Sequence, residues 1–289
     1  MELFAQLVVN GLGNGSFYAL LGLGFGLIFG TTRIVHFAYG PVFAIGAYAA
    51  WLGGAALGLP LVVSAILAPL GAAAAGALTY WAAYRPFERR GMSSHGILIL
   101  SLGLSIVLEC GLTLIFGPSV HAFPDFEASV FIIGPVFVTS LQIGQAVAVA
   151  VVALPLLVFL GRARHGRAIL ALADDRDMAR IVGIDTERVS VIVFALGSAI
   201  SGVAALFDLL NEGATPTMGF NPVFVAFIVA VVGGLGSIPG AIAGGYMVGL
   251  VESLGLWKLP TEWQNSIAFV LLFVVMLVRP QGLFAGARR

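Results

Sequence analysis

The chain is poor in groups that perform covalent chemistry. Its only lysine, Lys258, stands between Trp257 and Leu259, so no Gly-Lys-Ser/Thr phosphate loop can form. The four histidines (His36, His95, His121 and His165) fall in separate loops, without the HExxH spacing that holds zinc. None lies in an apolar run, where a serine-based intramembrane protease would need one. The single cysteine, Cys110, leaves no disulfide framework or Cys-based metal site within the chain. The run GLGNGS at Gly11 imitates a dinucleotide fingerprint, but no strand precedes it. The remaining candidates are carboxylates inside apolar segments, where an ionisable group is costly and a functional role is the first hypothesis. Asp208 falls near a segment end beside Glu212, within reach of water. Glu109 lies deeper and is open to two readings, an interhelical hydrogen bond in protonated form or a part in transport. Glu252 has Lys258 as a possible partner nearly two helical turns away. These three form no charge relay.

The elements that carry these residues are read from hydropathy. Hydrophobic residues make up 60% of the 289 and charged residues 10%, with a mean hydropathy of +1.04, which excludes an ordinary soluble globule. Apolar segments run over about 3–30, 37–57, 60–83, 97–116, 142–160, 189–210, 222–238, 239–257 and 263–279. Roughly 20 apolar residues span a bilayer. The expectation is an all-α, polytopic integral membrane bundle occupying residues 1–289 as one transmembrane domain. It would have nine crossings, or eight to ten if glycine-rich helices are broken or re-entrant. Residues 222–257 around Pro239 and the apolar stretch 130–138 are the places where the chain could dip rather than cross. The formal net charge is zero and no basic patch stands out, so nothing points to nucleic acid.

Thirteen of the fourteen Lys and Arg residues fall in every second loop: Arg33; Arg85, Arg89 and Arg90; Arg162, Arg164, Arg167, Arg176, Arg180 and Arg188; Arg279, Arg288 and Arg289. Cytoplasmic loops accumulate Lys and Arg. The bias therefore places the N-terminus outside and the C-terminus in the cytoplasm. MELFAQLVVN lacks the basic start of a cleaved signal peptide and reads as the beginning of the first span. The loop 117–141 falls outside.

The longest polar stretch, about 161–188, lands on the cytoplasmic side. Asp174 or Asp175 can cap a short helix with Asp177 in its first turn. Met178, Ile181 and Val182 share one face at i, i+3 and i+4, and Gly183 is placed to stop the helix. A helix of two or three turns is too short to stand alone. It packs either on its own spans or in a groove on a cytoplasmic partner. Elsewhere, small residues recur at four-residue spacing: Gly11, Gly15 and Ala19; Gly22, Gly26 and Gly30; Gly240 and Gly244. Such rows let helix backbones approach closely; they serve packing, or line a path. GGLGSIPG, from Gly233 to Gly240, interrupts an apolar stretch with four glycines and Pro239, and Gly40-Pro41 does so in the first half. Broken helices often surround a transporter's substrate path.

At this point the chain resembles a known family. The lead-in and helix ending in GIDTER (Gly183 to Arg188) are similar to the coupling loop of bacterial ATP-binding-cassette (ABC) importer permeases of the branched-chain amino acid class. RIVHFAYGPVFAIGAY (Arg33 to Tyr48), GGLGSIPGAIAGG (Gly233 to Gly245) and RPQGLF (Arg279 to Phe284) resemble three further runs of that family, in the same order along essentially the whole chain. The closest type is the shorter, livH-type membrane subunit. The resemblance implies a multi-pass permease of the bacterial inner membrane, not itself an enzyme, for branched-chain or other hydrophobic amino acids. Its implied partners are a homologous second permease, two cytoplasmic ATPase subunits and a periplasmic binding protein that delivers the small-molecule substrate. ATP and Mg would belong to the ATPases, with no cofactor in this chain. Carried over residue by residue, coupling to the ATPases falls on Ala173, Asp174, Asp177, Met178, Ala179 and Gly183. The substrate pathway falls on Phe37, Tyr39, Gly40, Gly236, Ser237, Pro239 and Gly240. The chain departs from the family at His36 to Gly40, where Asn-Phe-Ala-His-Gly is usual, and in the acidic Glu109 and Asp208. These departures bear on the cargo, for which urea, short-chain amides or small aromatic acids are alternatives. A self-sufficient secondary carrier or channel is the contrasting class; it would show paired ionisable groups at the midplane and need no docking loop.

Overall fold

The computed structural model describes residues 2–124 and 126–284. Arg288 and Arg289, named above, lie outside the described residues. Twelve α-helices follow one another among them. The first is α1 (Glu2–Thr32), followed by α2 (Tyr39–Trp51), which a π-helical turn extends to Ala56. Next come α3 (Leu61–Thr79), continued through a second π-helical turn into α4 (Arg85–Arg89), and α5 (Ser94–Phe116). After α6 (Ser140–Arg162), two short helices, α7 (Arg164–Asp174) and α8 (Arg176–Ile181), lead into α9 (Thr186–Glu212). The last three are α10 (Phe220–Gly233), α11 (Ile238–Gly255) and α12 (Gln264–Val278).

Each apolar segment read from the sequence becomes helix, but fewer than nine are long enough to cross alone. Among the described residues five helices meet that length and apolarity, or six if the bent pair α10 and α11 counts as one span. The difference lies in short helices: α10 has 14 residues and α12 has 15, about 21–23 Å at 1.5 Å per residue.

The first helix is the hub. It packs along α11, α9, α10 and α6, and its second half is almost wholly buried. Glycine makes this possible. A Cβ on Gly15 would lie 2.8 Å from the Tyr246 Cα, and one on Gly249 would lie 2.5 Å from the Gly15 nitrogen. The row Gly11, Gly15, Ala19 thus meets Gly245 and Gly249 backbone to backbone. Gly30 faces Gly236 in the same way. By contrast, α3, α5, α6 and α12 turn rows of leucine, isoleucine, valine and phenylalanine outward, as helices facing lipid or another apolar surface do.

One expectation about a dip is corrected. Residues 130–138 do not enter the bundle. They form a hairpin, β1 (Val130–Ile133) and β2 (Val136–Thr139), paired from Val130↔Thr139 to Ile133↔Val136. Gly134, at φ 62°, makes the turn, and Gln6 pins the hairpin to α1 by exchanging hydrogen bonds with Phe137 (2.8 and 3.0 Å). At GGLGSIPG the apolar stretch does break, in the manner of a broken span or a re-entrant loop. The chain bends by 117° between α10 and α11, and the turn sits against Gly30, near the end of α1. Ser237 caps α11 by accepting from the Gly240 N–H (3.1 Å).

The arginine-bearing segments meet at one end of the bundle. Arg33, Arg176 and Arg180 line one cavity there, and Arg85 and Arg89 pair with Glu187 at the start of α9. The turns after α12 join the same end, where Leu283 donates its N–H to the Val232 carbonyl (3.0 Å).

Backbone contact between α1 and α11 yields a direct test. Gly249→Leu is expected to destabilise the purified chain by about 1–3 kcal/mol or more, the usual cost of overpacking, and to lower its thermal aggregation midpoint in detergent. Gly103→Leu is the control, since a Cβ there meets no atom within 4 Å, and should leave the midpoint unchanged. Equal midpoints for both variants would contradict the packing described.

Candidate functional site

The residues singled out from the sequence divide among three places. The first is the helix pair α7–α8 at the arginine-rich end. The sequence suggested one short helix in this loop; the structure has two. The longer, α7, buries Gly166, Ile169 and Leu172 against its own bundle, and a Cβ on Gly166 would run into the Phe159 carbonyl. Then α8 starts at Asp175, not Asp174: the Asp175 carboxylate accepts from the N–H groups of Asp177 (2.9 Å) and Met178 (3.0 Å). It stops at Gly183, at φ 86°. There the Ile184 N–H donates to the Ala179 carbonyl and the Gly183 N–H to that of Arg180, the pair of bonds that closes a helix with a left-handed residue.

Within this helix Met178, Ile181 and Val182 are 60, 77 and 72% exposed, while Ala179 is 3% exposed. The expectation that Ala179 belongs to a docking face is therefore corrected. Its small side chain lets α8 lie close on its own protein, and the outward face is the apolar trio. Asp174 and Asp177 are exposed at the junction and first turn, and Ala173 is half-buried.

An ionic clamp holds α8 in place. Arg176 Nη1 donates to Glu88 Oε1 (2.9 Å) and the Tyr80 hydroxyl donates to Glu88 Oε2 (2.7 Å). Burial works against the Arg176 charge, but the bond to Glu88 and the Glu88 charge outweigh it and hold the guanidinium above its usual pKa. Beside it, Glu187 accepts from Arg85 Nε (2.7 Å) and, through both oxygens, from Arg89 (2.6 and 2.7 Å), a geometry stronger than a single contact. The clamp thus ties α8 to the end of α3, to α4 and to the start of α9. Sequence reading missed it because Glu88 and Glu187 are far apart in the chain and ordinary in type.

The second place is the α10–α11 turn. Gly236 and Ser237 line a small cavity with Gly30, Leu160, Ile169 and Ala173, so this motif abuts α7. Gly240 is buried, and a Cβ on it would strike the Gly233 carbonyl; Pro239 is exposed in the first turn of α11. Gly236 and Gly240, which the resemblance places on the substrate pathway, also have structural duties here. Gly236 holds φ 80° and Gly240 packs on backbone, so larger residues there disturb the fold itself.

The third place is a cleft between α2, α5 and α10. Residues 33–38 turn back along α1 after Thr32 and lead into α2 well before the end of the bundle. The Tyr39 hydroxyl donates to the Leu21 carbonyl (3.1 Å) and its ring meets Phe25 edge-on. Tyr39 is therefore core, fully buried, and does not line the cleft. Phe37 and Gly40 do, with Glu109, Pro216, Gly219 and Phe220. Gly40 and Gly219 touch through backbone: a Cβ on Gly40 would sit 2.6 Å from the Gly219 oxygen. The extended backbone before α2 is held by Ser101, whose hydroxyl accepts from the Phe37 N–H (2.7 Å) and the Tyr84 hydroxyl (2.8 Å). Tyr84 also meets His36 Nδ1 (2.9 Å). The wall formed by residues 213–219 was not foreseen, although Gly213, Pro216 and Gly219 marked an irregular stretch.

Glu252 does not pair with Lys258. It is fully buried and accepts from the Tyr18 hydroxyl (2.7 Å) and Gln264 Nε2 (3.3 Å), which joins α1, α11 and α12. Among the described residues no three His, Cys, Asp or Glu side chains come together to hold a metal ion.

A bundle of apolar helices, an irregular cleft between them and an externally exposed short helix define a multi-pass membrane permease. Residues 7–276 match the family model for the permease component of the branched-chain amino acid transport system, and the chain belongs to that family. It is 36% identical to the high-affinity branched-chain amino acid transport system permease protein LivH of Salmonella typhimurium, over 97% of this chain and 95% of that one. It is 26% identical to the LivM permease protein of the same organism, over 94% of this chain and 68% of LivM. Among solved structures it is similar in fold to PsaBC from Streptococcus pneumoniae in complex with Fab, with a TM-score of 0.51, 16% identity, and 97% of this chain and 94% of that one covered.

Proposed function

We propose that this chain is one of two membrane subunits of an ABC importer that carries branched-chain amino acids across the bacterial inner membrane. The second subunit is a homologous permease. The likeness of the chain to both LivH and LivM supports a pair of related permeases. A periplasmic protein delivers the amino acid, and two cytoplasmic subunits bind ATP and Mg and hydrolyse the nucleotide. This chain supplies helices and no catalytic group.

The observation that carries the reading is the outward apolar face of α8. Met178, Ile181 and Val182 project from a helix that is capped, stopped and clamped, so they are presented rather than loosely exposed. Three such side chains in a polar loop suit a hydrophobic groove on a partner. The ATPases close on nucleotide and push on this face. The clamp passes the push to α3 and α9, and α7 passes it to the α10–α11 turn and the end of α1. The arginine-rich end, with α7 and α8, is cytoplasmic by the loop bias; the hairpin 130–139 is periplasmic, as are the two ends flanking it.

In the assembled transporter reconstituted in liposomes, Ile181→Glu is expected to cut ATP-driven leucine uptake at least tenfold while the chain still accumulates in the membrane. Uptake within twofold of wild type would remove α8 from the coupling path. Orientation has its own measurement. With Cys110 replaced by serine, a cysteine at Ser129, which is exposed, should react with an impermeant thiol reagent added from the periplasmic side. Reaction only from the cytoplasmic side would reverse the topology.

A further inference from the structure

Glu109 is a carboxylate that the bundle does not use. It is residue 16 of the 23 in α5, seven residues and about 10 Å from that helix's arginine-poor end. Its carboxylate makes no hydrogen bond or ion pair with any described residue, unlike Glu252, which is spent on Tyr18 and Gln264. It is half-buried. It lines the cleft at which the irregular starts of α2 and α10 meet, and which holds about 90 Å3, several times what one water requires. A charged group at this depth is costly unless it faces a partner or an aqueous path. The helix that carries it packs little on the rest of this chain.

The chemistry of the cleft narrows what fills it. Glu109 offers only acceptor oxygens when ionised, so it selects a cation that donates hydrogen bonds. Most of the remaining wall is apolar: Phe37, Leu102, Phe220, Val223 and Phe224 suit an aliphatic side chain, while Ser105 and Thr217 add neutral hydroxyls and no second charge. The first turns of α2 and α10 add partial positive charge on the facing wall, the complement of a carboxylate. An inorganic cation would gain nothing from the apolar walls, and Glu109 is the one carboxylate among the lining residues.

We propose that this cleft is the translocation site of the subunit and that Glu109 receives the α-ammonium group of the amino acid in transit, with the side chain against the phenylalanines. The proposal rests on the reading of the chain as an amino acid permease. It also sets which face of the chain meets the second permease: that of α5 and the starts of α2 and α10.

The test uses the complete transporter with its partner permease, ATPases and binding protein. Glu109→Gln removes the charge and keeps the shape; it is expected to lower leucine uptake at least tenfold, while the complex still purifies intact. Glu109→Asp, which keeps the charge, should recover a substantial part of the loss, which a merely structural role would not produce. Leucine uptake by Glu109→Gln within twofold of wild type would overturn the proposal and leave the assigned function standing. So would Glu109→Asp failing as badly as Glu109→Gln. A wild-type complex that takes up no branched-chain amino acid would instead overturn the assigned function, and the proposal with it.

Discussion

Everything in this bundle depends on α1 approaching its neighbours at backbone distance. Apolar side chains hold a helix in a bilayer, but they do not choose its partners, because lipid is as apolar as leucine. Here the choice is made by the absence of side chains: Gly11 and Gly15 against Gly249, Gly245 against Ala19, Gly24 against Gly197, Gly30 against Gly236. These contacts fix α11, α9 and the α10–α11 turn on a single helix. The end of that helix also abuts α7, so the cytoplasmic elements of the proposed transporter rest on the same support as the spans.

This arrangement gives the proposed coupling a physical route. A loose loop would absorb a push from a partner. Here α8 has its start fixed by Asp175, its end by Gly183 and its flank by Glu88. Its motion therefore requires that the ends of α3 and α9 move too, or that the clamp break. The clamp is partly exposed, with side chains 16–59% accessible, and isolated pairs of that kind contribute little stability. As a network it serves position more than stability, which suits a joint that must hold register while it moves.

Much of this was legible in the sequence because it is local. Hydropathy marked the helices, Gly183 and an aspartate marked the ends of α8, and the four-residue glycine spacing marked the face of α1. What was not legible depends on contacts distant in the chain. Tyr39 reads as a cleft residue beside Gly40, yet the backward course of 33–38 buries it on Phe25. Ala179 lies between Met178 and Arg180 in sequence but turns inward, because α8 lies down on the bundle. GGLGSIPG is legible as a break from its glycines and Pro239; its place beside Gly30, near the end of α1, required the fold. The hairpin had a local signal, Gly134-Pro135 between two apolar runs, which suits a tight turn but was outweighed by hydrophobicity. Glu109 was marked by type and depth alone; its free carboxylate and its cleft required the fold.

The central claim is that α8 is the element on which the ATPases act, and one measurement meets it directly. In the purified complete transporter, with Cys110 replaced by serine, a cysteine is placed at Ile181, the most exposed position of the α8 face. Crosslinking to an ATPase subunit is then followed with and without nucleotide. The account predicts a crosslink whose yield changes with nucleotide. No crosslink in any nucleotide state would contradict it.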